Sequence, residues 1–429
     1  MRPKLLRHAL CLILSGASAS AFAVTNLEPN AGLQFNFSNP GARSLGLGGA
    51  FTGLADDATA TYANPAGLTI LRTQEFAFEG RYTNFETPFS NGGNVNFSPF
   101  DASAVGESDS SDSLVRPSFA SWVYPADKLT FAAFYHRVAN FESEYTASPI
   151  TINGGPNVIF GYDTSLDFAI ENVGLSLAYQ MTESFSLGLS AAYSDFEISS
   201  VTTRSQQDPL FANQQTQFGG DNDVVFTAGL LWRLSPQWNV GLAWREGGEF
   251  SYKASNATLP GNAFHPNSRT ERTTFNVPNV ISAGVAFRPS DNWLFTLDVN
   301  RVHYSDLTDA GVTDLFSSDE STLKVEDGTE IRLGVEYAFL DMERPFFVRG
   351  GVWRDPEHRL TIPNSITQDC NSSDFNFFGC IDATLFRPGD DEMHYSLGLG
   401  WAFDRFQIDA AADFSDLVDT YSVSGVLRF

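Results

Sequence analysis

Cysteine, positive charge and long apolar runs are all scarce in this 429-residue chain. Of the three cysteines, Cys11 falls inside the first apolar run, where it cannot serve as a lipoprotein cysteine. Cys370 and Cys380 share one polar loop. So few thiols exclude a disulfide-built scaffold and a Cys/His metal cluster. In an oxidising compartment the remaining two are expected to pair and stiffen their own loop. Lys and Arg number 26 against 51 Asp and Glu, a net charge of −25. A surface this acidic excludes nucleic acid as a partner, since that would demand basic patches. After the first residues no apolar run approaches the roughly 18 needed for a membrane-spanning helix.

Catalytic signatures are missing as well. G-x-S-x-G and H-E-x-x-H do not occur. Gly46, Gly48 and Gly49 follow no strand and do not form a dinucleotide fingerprint. Among the later histidines, His136, His265, His303, His358 and His394, only His136 lies well within a strand-like segment. No catalytic residue, metal or cofactor is expected. An acyl-hydrolase built on His136 is the weak enzymatic alternative.

What is present begins with a leader. Arg2, Lys4 and Arg7 precede an apolar run from Ala9 to Leu14, and Ala21-Phe22-Ala23 supplies an A-x-A cleavage site. Residues 1–23 read as a secretory signal peptide, with Val24 the expected mature start. Next comes a stretch unlike any other, from Ala31 to Leu68. It contains Gly41, Gly46, Gly48, Gly49 and Gly53 and no alternating apolar run, so backbone can approach backbone closely. Asp57 is placed to cap a short helix over 58–63, and Pro65 would stop it. The stretch reads as a compact plug.

From Glu75 onward the text alternates. Fourteen strands are predicted, at roughly 75–85, 115–124, 129–141, 166–180, 185–203, 223–234, 238–253, 271–288, 293–303, 329–339, 346–355, 392–403, 406–415 and 419–429. Most have the nine to eleven residues a tilted strand needs to cross a bilayer. Trp293, Phe295, Leu297 and Val299 share one face, against Thr296, Asp298 and Asn300 on the other. Short turns such as Asp404-Arg405 alternate with long links such as 86–114 and 356–391. Phe185, Trp238, Trp293, Phe403 and Phe406 sit beside short turns, where an interfacial girdle belongs. The 38 phenylalanines, in a chain of mean hydropathy −0.15, suit short amphipathic strands. A soluble β-sandwich would alternate too, but it explains neither the turn asymmetry nor the girdle. The reading is all-β: a 14-stranded antiparallel transmembrane β-barrel over 74–429, with a hatch of short helices over 24–73 inside its lumen.

Ala31-Gly32 followed by Gln34, Gly41-Ala42-Arg43, Ala55-Asp56-Asp57-Ala58 and Asn64-Pro65-Ala66 come in order over about forty residues. Together they resemble the N-terminal hatch of the FadL/TodX family of outer-membrane transporters for long-chain fatty acids and other hydrophobic compounds. The segment from Pro278 to Leu307 also looks like a recurrent family segment, and the final strand ending at Phe429 resembles the assembly signal of outer-membrane proteins. The resemblance implies passive uptake in the outer membrane of a Gram-negative bacterium. The ligand would enter by a groove between extracellular loops, occupy an interior pocket, and pass when the hatch moves. The implied partners are a fatty acid or aromatic hydrocarbon, outer-membrane lipid, and the barrel-assembly machinery, with the protein a monomer. A general porin is the alternative that needs no plug.

Among lumen-facing charges, Arg245, Arg332 and Arg349 are the candidates to hold a ligand carboxylate by a bidentate contact, with Phe35 of the plug as a further contact. Asn64, Pro65 and Ala66 are the hatch motif. Phe131, Phe134 and Tyr135 put large apolar groups on both faces of the third strand, which marks either a bulge or a displaced strand boundary. In the FadL family a kinked early strand opens the wall sideways, so these three mark the expected lateral opening.

Overall fold

The computed structural model describes residues 37–97, 99–153, 158–159, 161–204, 213–258, 269–309, 323–362, 370 and 377–429. The expected signal peptide, the first part of the expected hatch and Phe35 lie outside the described residues.

Fourteen antiparallel staves close into a barrel. They are β1 (Glu75–Asn96), β2 (Asp101–Ala126), β3 (Leu129–Ala147), β4 (Tyr162–Gln180), β5 (Phe185–Arg204) and β6 (Asn213–Arg233). Two broken staves follow: β7 (Trp238–Arg245 and Glu249–Thr258) and β8 (Arg269–Asn276 and Val280–Phe287). The last six are β9 (Trp293–Val302), β10 (Gly328–Phe339), β11 (Phe346–Asp355), β12 (Glu392–Ala402), β13 (Phe406–Phe414) and β14 (Val418–Arg428). Closure is made by β1 against β14, from Glu75↔Arg428 to Phe85↔Val418. Closure leaves no donor facing hydrocarbon along the paired wall, which is what a bilayer requires of a sheet.

The outward face explains the solvent. Val115, Leu175 and Leu397 are each about two-thirds exposed, and such residues recur around the whole circumference. Water would not tolerate so much contiguous apolar surface, whereas acyl chains solvate it. Trp238, Trp293 and Phe406 face outward beside the short turns. Inward, below mid-height, the same staves present glycine, serine and charge.

Two differences from the sequence reading have clear causes. The link 86–114 is not a loop: β1 and β2 continue as a ribbon, pairing from Glu86↔Ser111 to Asn96↔Asp101. Outside the membrane neither face must be apolar, so a Ser- and Gly-rich text can still be strand. The ribbon's Val95 and Val105 join Ile150 and Ile152, Ile381 of the helix Phe377–Leu385, and Phe386 just after it, in an apolar cap over the mouth. The Cys370–Cys380 disulfide, with Cα atoms 5.7 Å apart, ties that helix to its loop. In β3 the phase change comes later than the aromatic cluster. Phe131 faces out and Phe134 in, as strict alternation requires. The register shift falls between Arg137 and Ala139, so Val138 is the extra residue. Phe134 is large and inward because it packs on hatch alanines.

Inside the barrel, residues 37–74 form the plug. Its elements are α1 (Ala42–Gly46), α2 (Ala60–Ala63) and a 3₁₀ turn, Pro65–Ile70. Asp57 is not the cap: Thr59 holds the N-cap position of α2, and Asp57 lies two residues before it. Its Oδ1 accepts from Thr59 N at 2.9 Å, closing a turn that leads into α2.

Candidate functional site

The plug rests backbone-on-backbone against inward glycines of the wall. A Cβ on Gly351 would stand 2.2 Å from Gly48 N, one on Gly241 2.1 Å from Thr52 O, and one on Gly284 2.6 Å from Gly53 N. Gly188 meets Ala66 N in the same way, while Gly229 makes room for the side-chain Oδ1 of Asn64. Side chains are absent from these wall positions because the plug occupies their place. The seat is then pinned by polar contacts. Asn64 Nδ2 donates to Thr52 O at 2.9 Å and to Leu230 O of β6 at 3.0 Å, while its Oδ1 accepts from Ala66 N at 3.2 Å. Pro65 can follow because it starts a helical turn and needs no donor. Asp298 of β9 accepts from the N–H groups of Phe51 and Thr52 at 2.8 and 2.7 Å.

Charge adds a second anchor. Arg43 of α1 reaches Asp56 at 2.5 Å and Glu336 of β10 at 3.1 Å. Glu336 also pairs with Arg349 at 2.6 Å, and Arg349 with Asp409 at 2.6 Å. Arg349 is therefore committed to two protein carboxylates, with its side chain 0% exposed and its Nη2 without a hydrogen-bond partner among the described residues. Arg332 is committed too: it pairs with Glu330 at 2.9 Å and lies 3.7 Å over the Trp353 ring.

Above the plug the inward face turns apolar. Phe168, Phe196 and Phe250, joined by Phe275, pack together across β4 to β8, so the aromatic chamber they surround is filled by their own rings. The Phe196 ring stacks on Phe250 at 5.0 Å and on Phe275 at 5.7 Å. Tyr62 of the plug belongs to the same cluster and forms its floor, and Phe37 packs against it. At this height two neighbouring staves break together, β7 at Gly247-Gly248 and β8 at Pro278, which has no N–H for the ladder. Arg245 stands beside the break. Its guanidinium lies 4.5 Å over the Tyr62 ring and donates to Asn39 Oδ1 at 2.9 Å. Among the described residues it makes no ion pair. Arg245 lines two cavities that share Phe37, one reaching Ile170 and Val277, the other Asn300 and Glu330.

The wall also has a side slit. β2 and β3 pair only from Ala126↔Leu129 to Phe119↔His136, although both strands continue far beyond. Two bulges meet there: Ser118 on β2 and Val138 on β3. Pro117 removes one more donor. A proline inside a strand belongs at an edge, and this signal was available in the sequence. Side chains cross the slit higher up, with Arg116 Nη2 to Glu142 Oε1 at 2.9 Å and Ser110 Oγ to Glu144 O at 3.3 Å. Behind it lies a cavity of about 80 Å³, lined by Arg81, Leu114, Arg116, Arg137, Phe141 and Phe168 among others. That is well below the roughly 300–1,000 Å³ of an ordinary ligand cleft, so this conformation is closed to a ligand. His136 at the lower lip is buried edge-on to Tyr62 at 4.3 Å and Phe119 at 6.0 Å, and its Nδ1 has no hydrogen-bond partner.

Known proteins carry the same architecture. A Pseudomonas aeruginosa FadL homologue superposes with a TM-score of 0.67 at 14% identity, covering 93% of this chain and 100% of the other. The Pseudomonas putida toluene transporter TodX gives 0.60 at 14%, covering 91% and 98%. Outer membrane protein P1 of Haemophilus influenzae is 23% identical over 93% of this chain and 86% of its own length. Residues 21–363 match the model of one family throughout. The chain thus belongs to the outer membrane protein transport protein family, OMPP1/FadL/TodX.

Proposed function

We propose that this protein takes up long-chain fatty acids through the outer membrane, without chemistry or an energy source of its own. The observation that carries the reading is Arg245, a lumenal guanidinium that makes no ion pair among the described residues, at the edge of the aromatic chamber. Arg332 and Arg349 each hold protein carboxylates. A ligand carboxylate completes Arg245 by a charge-assisted pair, and the acyl chain lies among Phe168, Phe196 and Phe250. Apolar burial there contributes roughly 25 cal/mol per Å². Because the chamber is filled in this conformation, binding must displace Phe37 or the plug, and it shifts the plug only by its preference for the displaced state.

Two measurements test the reading. Mass spectrometry of ligand retained through purification is expected to find long-chain fatty acid. Arg245→Gln is expected to weaken oleate binding about tenfold to a hundredfold, the worth of one hydrogen bond to a charged group, and to leave toluene binding unchanged. Unchanged oleate affinity would remove Arg245 from the site. The stacked rings of Phe196, Phe250 and Phe275 favour a second reading, aromatic hydrocarbon uptake, as in the toluene transporter TodX. It predicts that toluene outcompetes oleate and that Arg245→Gln affects neither.

A further inference from the structure

The lipid-facing wall carries a groove that the lumenal reading does not use. It crosses four staves, β13, β14, β1 and β2, and holds about 570 Å³. Phe78, Tyr82, Val115, Tyr421 and Val423 form its sides, all of them outward and exposed. Its floor is Gly80, where an added Cβ would meet nothing within 4 Å. The dent has a backbone cause: the β1–β2 register slips between Glu79 and Gly80, where Ser118 is the extra residue and Pro117 follows.

Two features separate this groove from the rest of the greasy band. One is a cation at its rim. Arg116 stands where the outward face turns polar, since Tyr82 and Val115, paired across β1 and β2, are followed outward by Asn84 and Ser113. A long basic side chain at such a boundary holds its charge at headgroup level. The other feature is proximity to the slit. Arg81 and Arg116 line both this groove and the cavity behind the slit.

We propose that the groove is a second, membrane-side site for one single-chain carboxylate amphiphile. Its head sits on Arg116 in place of Glu142, and its tail runs down over Pro117 and Gly80 toward Phe78. A fatty acid leaving by the slit lands there already in outer-leaflet orientation, head up and tail down. The inference rests on fatty acid uptake as the function, and the occupant is the free acid that left the lumen, not a bilayer phospholipid.

The test uses the full mature protein in phospholipid nanodiscs and two photoreactive probes, a mid-chain diazirine fatty acid and its methyl ester. The acid is expected to label Val115, Pro117 and Tyr421 well above the outward residues Leu175 and Leu189 on β4 and β5. Gly80→Leu fills the floor from the lipid side and is expected to cut groove labelling at least fivefold, while labelling at Phe168 and Phe196 persists. Arg116→Gln is expected to reduce labelling by the acid and not by the ester. Glu142→Gln, which frees Arg116, is expected to raise it. Equal labelling around the whole band, or labelling indifferent to Gly80→Leu, means ordinary bilayer chains fill the groove and overturns the proposal. Groove labelling without lumenal labelling supports the groove and overturns fatty acid passage through the chamber.

Discussion

Gly46 of the plug and Gly398 of β12 face each other so closely that a Cβ on either would stand 2.9 or 3.0 Å from the other's Cα. Neither backbone can give without moving the plug or the wall. Gly398→Val therefore strains the seat by about 1–3 kcal/mol, the usual cost of overpacking a filled interior. The barrel, paired through its own ladder, is expected to fold. The plug is expected to lift, seen as raised single-channel conductance and faster hydrogen exchange over 42–63. Gly350→Val is the control, because an added Cβ there has nothing nearer than 3.9 Å, and it is expected to leave both readouts at the wild-type level.

The Arg43–Glu336–Arg349 chain gives a second expectation. Glu336 accepts from both arginines, so Glu336→Gln leaves two guanidinium groups short of charge in a site removed from water. Breaking one side of a buried pair costs about 3–5 kcal/mol. Part of that cost falls on plug seating through Arg43, so exchange over 42–63 should rise here too. Combining Glu336→Gln with Arg43→Met should recover part of the loss, because one stranded charge is gone. A double variant as loose as the sum of both singles would show that the two side chains act independently.

The fourteen staves were legible because each one crosses the same solvent boundary. In β5, Leu187, Leu189 and Tyr193 point to lipid and Ser186, Ser190 and Ser194 to the lumen. The pattern then inverts, with Phe196 and Ile198 inward against Asp195 and Glu197 outward, and alternation survives the inversion. The β1–β2 ribbon was illegible because it lies beyond that boundary, where the ladder alone sets the conformation. The plug read as a plug from its glycines, but their partners Gly351 and Gly398 lie some three hundred residues away, and a single sequence does not pair them. Arg245, Arg332 and Arg349 looked alike for the same reason. Each is an inward cation, and only the fold shows which carboxylates are near.

Acid should loosen one extracellular tie. Arg354 donates to Asp391 at 2.9 Å and Glu357 N donates at 3.1 Å, and the Arg354 contact holds the Asp391 carboxyl below its ordinary range. A depressed carboxylate favours the native form above the unfolded value near 4, and that advantage is lost as pH falls through the lower native value. The pair is half exposed, so it contributes no more than about 1 kcal/mol, roughly fivefold in protection. Protease sensitivity of the link between β11 and β12 should rise between pH 6 and pH 3 more steeply in the wild type than in Asp391→Asn. Parallel profiles would remove Asp391 from the account.

The slit makes the most demanding prediction. Its lower lip is fixed by the Phe119↔His136 pairing, its middle is spanned by side-chain contacts, chiefly the exposed Arg116–Glu142 pair, and backbone pairing resumes only at the top, where Asn94–Asn96 of β1 meet Thr151–Asn153. An exposed ion pair is weak, typically under about 1 kcal/mol, so the two strands can separate at little cost while the ladder below stays intact. Arg116→Cys combined with Glu142→Cys allows a short bifunctional thiol reagent to clamp β2 to β3. The Cys370–Cys380 bond ties up both cysteines that follow the expected leader. The clamped protein is expected to bind oleate in the chamber with wild-type affinity and to lose uptake into intact cells or liposomes, with recovery when a cleavable reagent is reduced. Undiminished uptake through the clamped barrel would mean that ligand leaves downward past the plug, and the bulges at Ser118 and Val138 would then be features of wall curvature alone.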